Sequence, residues 1–224
     1  VGAAVARPLP CGGEDSGGEV SADLRAFYLE AKQRVVAAGY GWEAQWQATR
    51  DFAAITESDF LRELAWVILC SGFREKVIRG KFPAISAAFC GWDSARQITE
   101  HAAECRQKAL EVFGNRRKVD AIIAGAAMVD MLGWAQLKIS LRDKMPRRLL
   151  SFPMIGEVTM FHLAKNLGAP IAKPDRHLVG MAFEHGYLDV QEFCERISNL
   201  TGDPVPVVDI VLWRYAAEKI RGAT

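Results

Sequence analysis

Apolar and polar positions along the chain follow a helical rhythm almost throughout. Apolar residues recur at spacings of three and four, and the alternating Val/Ile/Thr-rich stretches that would mark strands are scarce. Over 21–38, Leu24, Phe27, Tyr28, Ala31 and Val35 fall on one face, and Gly39 follows as a stop. Segment 42–53 carries Trp42, Trp46 and Phe52. Thr56 stands three residues before Asp59, the spacing of a capping box. The helix it opens, through Leu61, Leu64, Ala65, Ile68 and Leu69, is apolar on most faces and is expected at the centre of a core. Further helices are expected near 75–90, 94–113, 116–132, 135–144, 146–152, 157–167, 176–185, 189–200 and 206–221, with Gly133, Gly168 and Gly186 as stops. The fold class is therefore all-α, a bundle of about ten helices. Residues 1–20 are Gly-rich, hold Pro8 and Pro10, and read as a flexible tail.

Composition narrows the classes. The chain has 224 residues, half of them hydrophobic, enough to bury a sizeable core. Lys plus Arg number 28 and Asp plus Glu 27, a net charge of +1, which excludes a strongly basic coat for nucleic acid but leaves room for one basic face. Five cysteines, none spaced as Cys-x-x-Cys, argue for a reducing compartment and against a zinc ribbon or a disulfide framework. The longest apolar runs fall well short of the roughly 18 residues of a membrane span. A cytoplasmic protein is expected.

The informative stretch is 149–180. It reads as helix, tight turn, helix, stiff loop, Asp, helix. The turn Pro153-Met154-Ile155-Gly156 presents backbone amides at a helix N-terminus, a ready anion site suited to a DNA phosphate. Gly156 leaves room for close approach, and Ile155 is placed to pin the turn to the core. The loop Ala169-Pro170 to Pro174-Asp175 then delivers one carboxylate to the start of the next helix. That carboxylate also fits the N-cap of its own helix.

At these residues the chain resembles the helix-hairpin-helix DNA glycosylases, whose Gly/Pro-rich loop is followed by an Asp. The superfamily hairpin is roughly Leu-Pro-Gly-hydrophobic-Gly-x-x-Thr-Ala. Here it is Phe152-Pro153-Met154-Ile155-Gly156-Glu157-Val158-Thr159-Met160, with Asp175 one helix and one loop further on. Upstream, the helix from Glu63 to Ser71 resembles the family's central helix, and Asn115 to Ile122 the start of the helix preceding the hairpin, so the likeness covers about 60–185 in order.

The resemblance implies a two-lobed helical fold. One lobe would span 60–175, with the hairpin at about 146–167 and the catalytic loop at 168–175. The other would combine 21–59 with 176–224. It implies Asp175 as the catalytic carboxylate in hydrolysis of the N-glycosidic bond of a damaged or modified base flipped out of DNA. Met154, Ile155, Gly156, Glu157 and Thr159 would hold a phosphate. Lys173, Arg176, His177, Arg74 and Arg148 would add DNA contacts. Ser71 and Phe73 would fill the vacated stack, and Trp46 is a candidate for the base pocket. The partner is double-stranded DNA, bound by a monomer associated with the nucleoid. No cofactor is required, although a monovalent cation at the hairpin is allowed.

Two departures matter. Met154 replaces the first hairpin glycine. Val158 replaces the lysine of the bifunctional members, so the resemblance implies a monofunctional enzyme that leaves an uncut abasic strand. Lys173 is the one nearby amine, and Asp175 beside it is expected to keep it charged. The iron–sulfur cysteines of some members are absent, Cys194 standing alone.

Charge adds a further expectation. Lys138, Arg142, Lys144, Arg147 and Arg148, then Arg74, Lys76, Arg79 and Lys81, then Arg116, Arg117, Lys118, Lys173 and Arg176, would form a basic face. The base excised stays open among alkylated, oxidised, mismatched and bulky modified bases. So does a non-catalytic reading, in which the hairpin only binds DNA.

Overall fold

The computed structural model describes residues 16–221, and among them the only regular structure is helical. The elements are α1 (Ser16–Ala37), α2 (Gly41–Ala48), α3 (Glu57–Cys70), α4 (Glu75–Ala88), α5 (Ala95–Glu100), α6 (Ala102–Val112), α7 (Arg116–Leu132), α8 (Trp134–Lys144), α9 (Thr159–Asn166), α10 (Arg176–Glu184), α11 (Val190–Thr201) and α12 (Val205–Arg221). Short 3-10 turns lie at Phe52–Ala54, Cys90–Trp92 and Arg147–Ser151. No single helix among these residues is long and apolar enough to cross a membrane.

Of the expected tail, residues 1–15 lie outside the described residues, whereas 16–20 belong to α1. The helix that Leu24 and Tyr28 anchor in the core runs back through Gly17 and Gly18, and no proline stands between Ser16 and Ser21 to end it. The single helix expected over 94–113 is two, broken at His101. The helix expected over 146–152 is a 3-10 turn, because Pro153 holds Phe152 extended (φ −81°, ψ 142°) and leaves too little length for an α-helix.

α3 is the axis of the first core. Its start is the expected capping box: the Thr56 hydroxyl accepts from the Asp59 amide at 3.1 Å, and the Asp59 carboxylate accepts from the Thr56 amide at 3.1 Å. Phe60, Leu64, Ile68 and Leu69 are fully buried, and their cluster runs from Ile55 to Leu167. At the other end of α3, Gly72 turns the chain with φ +74°, and the bonds there do not rest on backbone alone. The ammonium of Lys118, on α7, donates to the carbonyls of Ile68, Leu69 (3.2 Å) and Ser71 (2.7 Å).

A second core joins the ends of the chain. Leu24, Tyr28, Ala31 and Val35 of α1 pack with Leu178, Phe193, Ile197, Val208 and Leu212 from α10, α11 and α12. The chain passes between the cores at two places, 49–55 and 168–172, and the two crossings touch. Gln47 Nε2 donates to the Lys165 carbonyl at 2.9 Å and Arg50 Nε to the Asn166 carbonyl at 3.0 Å, so the last carbonyls of α9 are capped by the α2 segment. Gly168 sits beneath this contact with φ +91°. A Cβ there would stand 2.6 Å from the Phe52 nitrogen and 2.9 Å from the Asp51 carbonyl carbon.

Neither the backbone angle nor the space at Gly168 tolerates a side chain. Gly168→Ala is therefore expected to lower unfolding stability by about 3 kcal/mol or more. Chemical denaturation of the variant measures this, and a loss below about 1 kcal/mol would mean that the crossing is pliable.

Candidate phosphate clamp and carboxylate site

The hairpin turn is built on Ile155, which is buried in the first core, and its amide donates to the Phe152 carbonyl at 3.2 Å. Helical hydrogen bonding begins at Gly156, whose carbonyl accepts from the Met160 amide at 2.9 Å. Gly156 has no side chain to cap the turn above it. Its own amide is taken by the Thr159 hydroxyl at 2.7 Å, half of a capping box, which removes it from the set of open donors. The amides of Glu157, Val158 and Thr159 have no partner among the described residues. They face a surface where a Cβ on Gly156 would meet nothing closer than Thr159 Oγ1 at 4.0 Å. Three open donors at a helix N-terminus form an anion site. Glu157 places an exposed carboxylate at the same turn, where it favours the helix dipole and competes with an incoming anion.

Met154 holds φ +61°, the left-handed region that favours glycine. The turn thus puts a side chain on a backbone conformation usual for glycine, and that side chain is 40% exposed.

Asp175 caps α10. Its Oδ1 accepts from the His177 amide at 2.9 Å and the Leu178 amide at 3.2 Å. Oδ2 takes part in neither bond and faces the Lys173 ammonium at 3.9 Å. The loop that carries both residues is fixed along its backbone. The Ala172 amide donates to Gln191 Oε1 at 2.8 Å, the Lys173 amide to Asp209 Oδ2 at 2.6 Å, and the Asp175 amide to the Lys173 carbonyl at 2.8 Å.

Beneath the loop, the other oxygen of Asp209 pairs with the ammonium of Lys165, and both side chains are almost wholly buried. Burial pulls Lys173 below the usual lysine range; Asp175 opposes this and the Lys165 charge reinforces it. The expectation that Asp175 would dominate is thus corrected, because desolvation outweighs a carboxylate 3.9 Å away. His162, half-buried on α9, is held well below the usual histidine range by burial and by the charges of Lys173 and Lys165, and stays neutral. The Cys70 thiol is pushed up to about 12 by burial and Glu75, against the charges of Lys118, Arg79 and Lys173.

The expected surface contacts divide. Arg74 and Arg176 are exposed, and His177 is half-buried. Arg148 is half-buried and spends its guanidinium on Ser140 Oγ (3.1 Å) and Ser151 Oγ (2.5 Å). Ser71 is half-buried, with its carbonyl on Lys118. Phe73 is 42% exposed and packs edge-on to Phe113 at 5.2 Å. With Gly114, Asn115, Arg116 and Arg117 these two rings line a shallow pocket of about 450 Å³. Trp46 is half-buried under the Arg50 guanidinium at 5.1 Å, and Arg50 in turn donates to the Asn166 carbonyl. The exposed tryptophan of α2 is Trp42, with Arg79 over its ring at 4.6 Å.

The basic face is smaller than its sequence tally. Lys118 is buried as the cap of α3, and Lys138 donates to the carbonyls of Ala53 and Ile55, both at 2.7 Å. Lys81 donates to the Val112 carbonyl, and Arg142 pairs with Asp143. Arg79 pairs with Glu43 and Glu75, which also hold Arg214 of α12. Arg74, Lys76, Arg116, Arg117, Lys144, Arg147 and Arg176 are exposed and make no salt bridge among the described residues. No three His, Cys, Asp or Glu side chains among these residues converge as a metal would need.

Sequence reasoning missed Asp209, Lys165 and the Glu43–Arg214–Glu75–Arg79 cluster. A signal existed for two of them. Asp209 and Arg214 interrupt the apolar run Val205, Val207, Val208, Val211 and Leu212, and a charge within such a run marks a buried partner.

Met154→Gly is expected to raise the melting temperature by about 2–4 °C, through relief of roughly 1 kcal/mol of backbone strain. Differential scanning calorimetry checks this, and a lower melting temperature would mean that the side chain contributes more than its backbone costs. No protein-family profile matches the chain, and neither a curated protein nor a solved structure matches it, so the functional reading rests on the geometry above.

Proposed function

We propose that the protein is a helix-hairpin-helix DNA glycosylase, with two helical lobes corresponding to the two cores and duplex DNA lying across their junction. The observation that carries this reading is the division of labour at Asp175. Oδ1 is spent on the α10 cap, while Oδ2 is committed to no backbone donor, in the rigid loop that follows an amide-lined turn. The amides of Glu157, Val158 and Thr159 hold a phosphate, and the seven unpaired basic side chains supply the remaining electrostatic attraction. Phe73, exposed beside Arg116 and Arg117, fills the space that a flipped nucleotide leaves.

The chemistry follows from the carboxylate. As the bond between C1′ and the base breaks, its electron pair leaves with the base and positive charge grows on the sugar. Asp175 Oδ2 stabilises that charge, and a water adds to C1′ and loses its proton to the carboxylate. The product is an abasic site. A monovalent cation would use the carbonyls of Met154 and Ile155, which have no partner among the described residues, to screen the clamped phosphate.

The second reading, a clamp without chemistry, draws on the same N-cap, since Asp175 would be needed there in any case. A panel of duplexes carrying alkylated, oxidised, mismatched or bulky modified bases separates the two. Release of at least one base is expected, with abasic sites revealed by alkali. Duplex binding with no release from any member would favour the clamp alone.

Asp175→Asn keeps an N-cap acceptor, so the fold should persist while base release falls by at least about 100-fold and duplex affinity holds. Single-turnover kinetics measure this, and a near wild-type rate would remove Asp175 from the mechanism. Gly156→Asp gives α9 a capping carboxylate in the phosphate site. Stability should hold or rise by a few tenths of a kcal/mol, while duplex affinity falls about tenfold or more whatever the sequence. Unchanged affinity would move the clamp elsewhere.

A further inference from the structure

We infer that Lys173 is a second reactive group in this loop, an amine that condenses with the C1′ aldehyde of an abasic sugar and cuts the strand after the base has gone. The inference deepens the glycosylase reading and rests on it for the origin of the abasic sugar. It revises the expectation of an uncut product drawn from Val158.

Three observations converge on Lys173. Its ammonium stands 3.9 Å from Asp175 Oδ2, so a sugar placed against that carboxylate lies within the amine's reach. Its backbone is fixed by Asp209 at 2.6 Å and its neighbour Ala172 by Gln191 at 2.8 Å, so the side chain projects from an anchored loop. Its side chain is 24% exposed, enough to be reached and too little to be fully hydrated. Desolvation draws it toward the neutral, nucleophilic form, and the buried Lys165 charge acts in the same direction against Asp175. Val158, at the hairpin, leaves that position without an amine.

The step balances without an oxidant or reductant. The lone pair of Nζ adds to the C1′ carbonyl and one water leaves, which gives a protonated imine. The imine acidifies the C2′ proton, and Asp175 Oδ2, the carboxylate oxygen outside the α10 cap, accepts it. The electron pair forms the C2′–C3′ double bond, and the 3′ phosphate departs. Water hydrolyses the imine and returns the amine, leaving an unsaturated aldehyde on the cut strand. Strand cleavage therefore lags base release.

The test uses the full chain and an end-labelled duplex with one preformed abasic site, so that no base need be excised. Sodium borohydride added during incubation reduces the imine to a stable amine. A covalent protein–DNA species is expected, with the modification mapping to Lys173 by peptide mass spectrometry. This mapping is made on the unsubstituted chain and depends on no variant. Lys173→Arg, which keeps the charge but not the nucleophile, and Lys173→Gln should each lower trapping by about 50-fold or more. An adduct mapped to another amine, or full trapping in Lys173→Arg, overturns the inference. Trapping at Lys173 in a protein that releases no base from any modified duplex would sink the glycosylase reading and leave the lyase standing. Base release with no adduct would do the reverse.

Discussion

The geometry of the site depends on one buried carboxylate. Asp209 enters the space between the cores from α12 and spends both oxygens there, one on the Lys165 ammonium and one on the Lys173 amide. Desolvating this pair costs several kcal/mol per ion, and the mutual attraction repays that only with close geometry and satisfied hydrogen bonds. A hydrophobic pair of similar volume would cost less. It could not fix the loop backbone, because an apolar side chain accepts nothing from an amide. The pair joins the end of the hairpin helix, the loop that follows it and the last helix of the chain. Without it, Gln191 would be the remaining side chain among the described residues that hydrogen-bonds the backbone of the loop between α9 and α10.

The same junction decides what the loop can do chemically. Lys165 is paired with Asp209, and its charge acts on Lys173 and His162 as well. An amine already stripped of part of its hydration feels that charge more strongly than one in water. Asp175 supplies attraction in the other direction, but its Oδ1 is bonded to two amides that share its negative charge. The hairpin bears a related cost. Met154 occupies a glycine conformation and Gly156 leaves three amides open, so the turn gives up stability that a glycine and a capping side chain would supply. Local rules broken together in one short stretch point to a site rather than to a connection.

Periodicity and punctuation made most of the helices legible. The capping box at Thr56–Asp59 and the cap and stop around α7, Asn115 and Gly133, are local and need no tertiary partner. The break at His101 had no such signal, because Glu100-His101-Ala102 contains neither glycine nor proline. Asp175 stood out in the sequence by its spacing from the hairpin, and the structure shows it as the N-cap of α10. Its role as an N-cap was foreseen, but the commitment of one oxygen only was not. Asp209 lies 34 residues beyond Asp175, and no local pattern connects a residue to a partner that folding alone brings near.

Charge was the least legible quantity, and for a physical reason. A lysine in a sequence has the same formal charge whether it caps a buried helix end or faces a phosphate. α3 ends at Ser71 and Gly72, and the Phe52–Ala54 turn ends at Ile55, and each leaves carbonyls in need of donors. Lys118 and Lys138 are long enough to supply them, and the fold consumes both cations before any ligand arrives. The Glu43–Glu75 pair holds Arg79 and Arg214 in the same way. A basic face in a nearly neutral protein is therefore what remains after such internal demands are met. Here the remainder includes Arg116 and Arg117 beside the exposed Phe73, and Arg176 next to Asp175, where the proposed glycosylase would hold an anionic backbone.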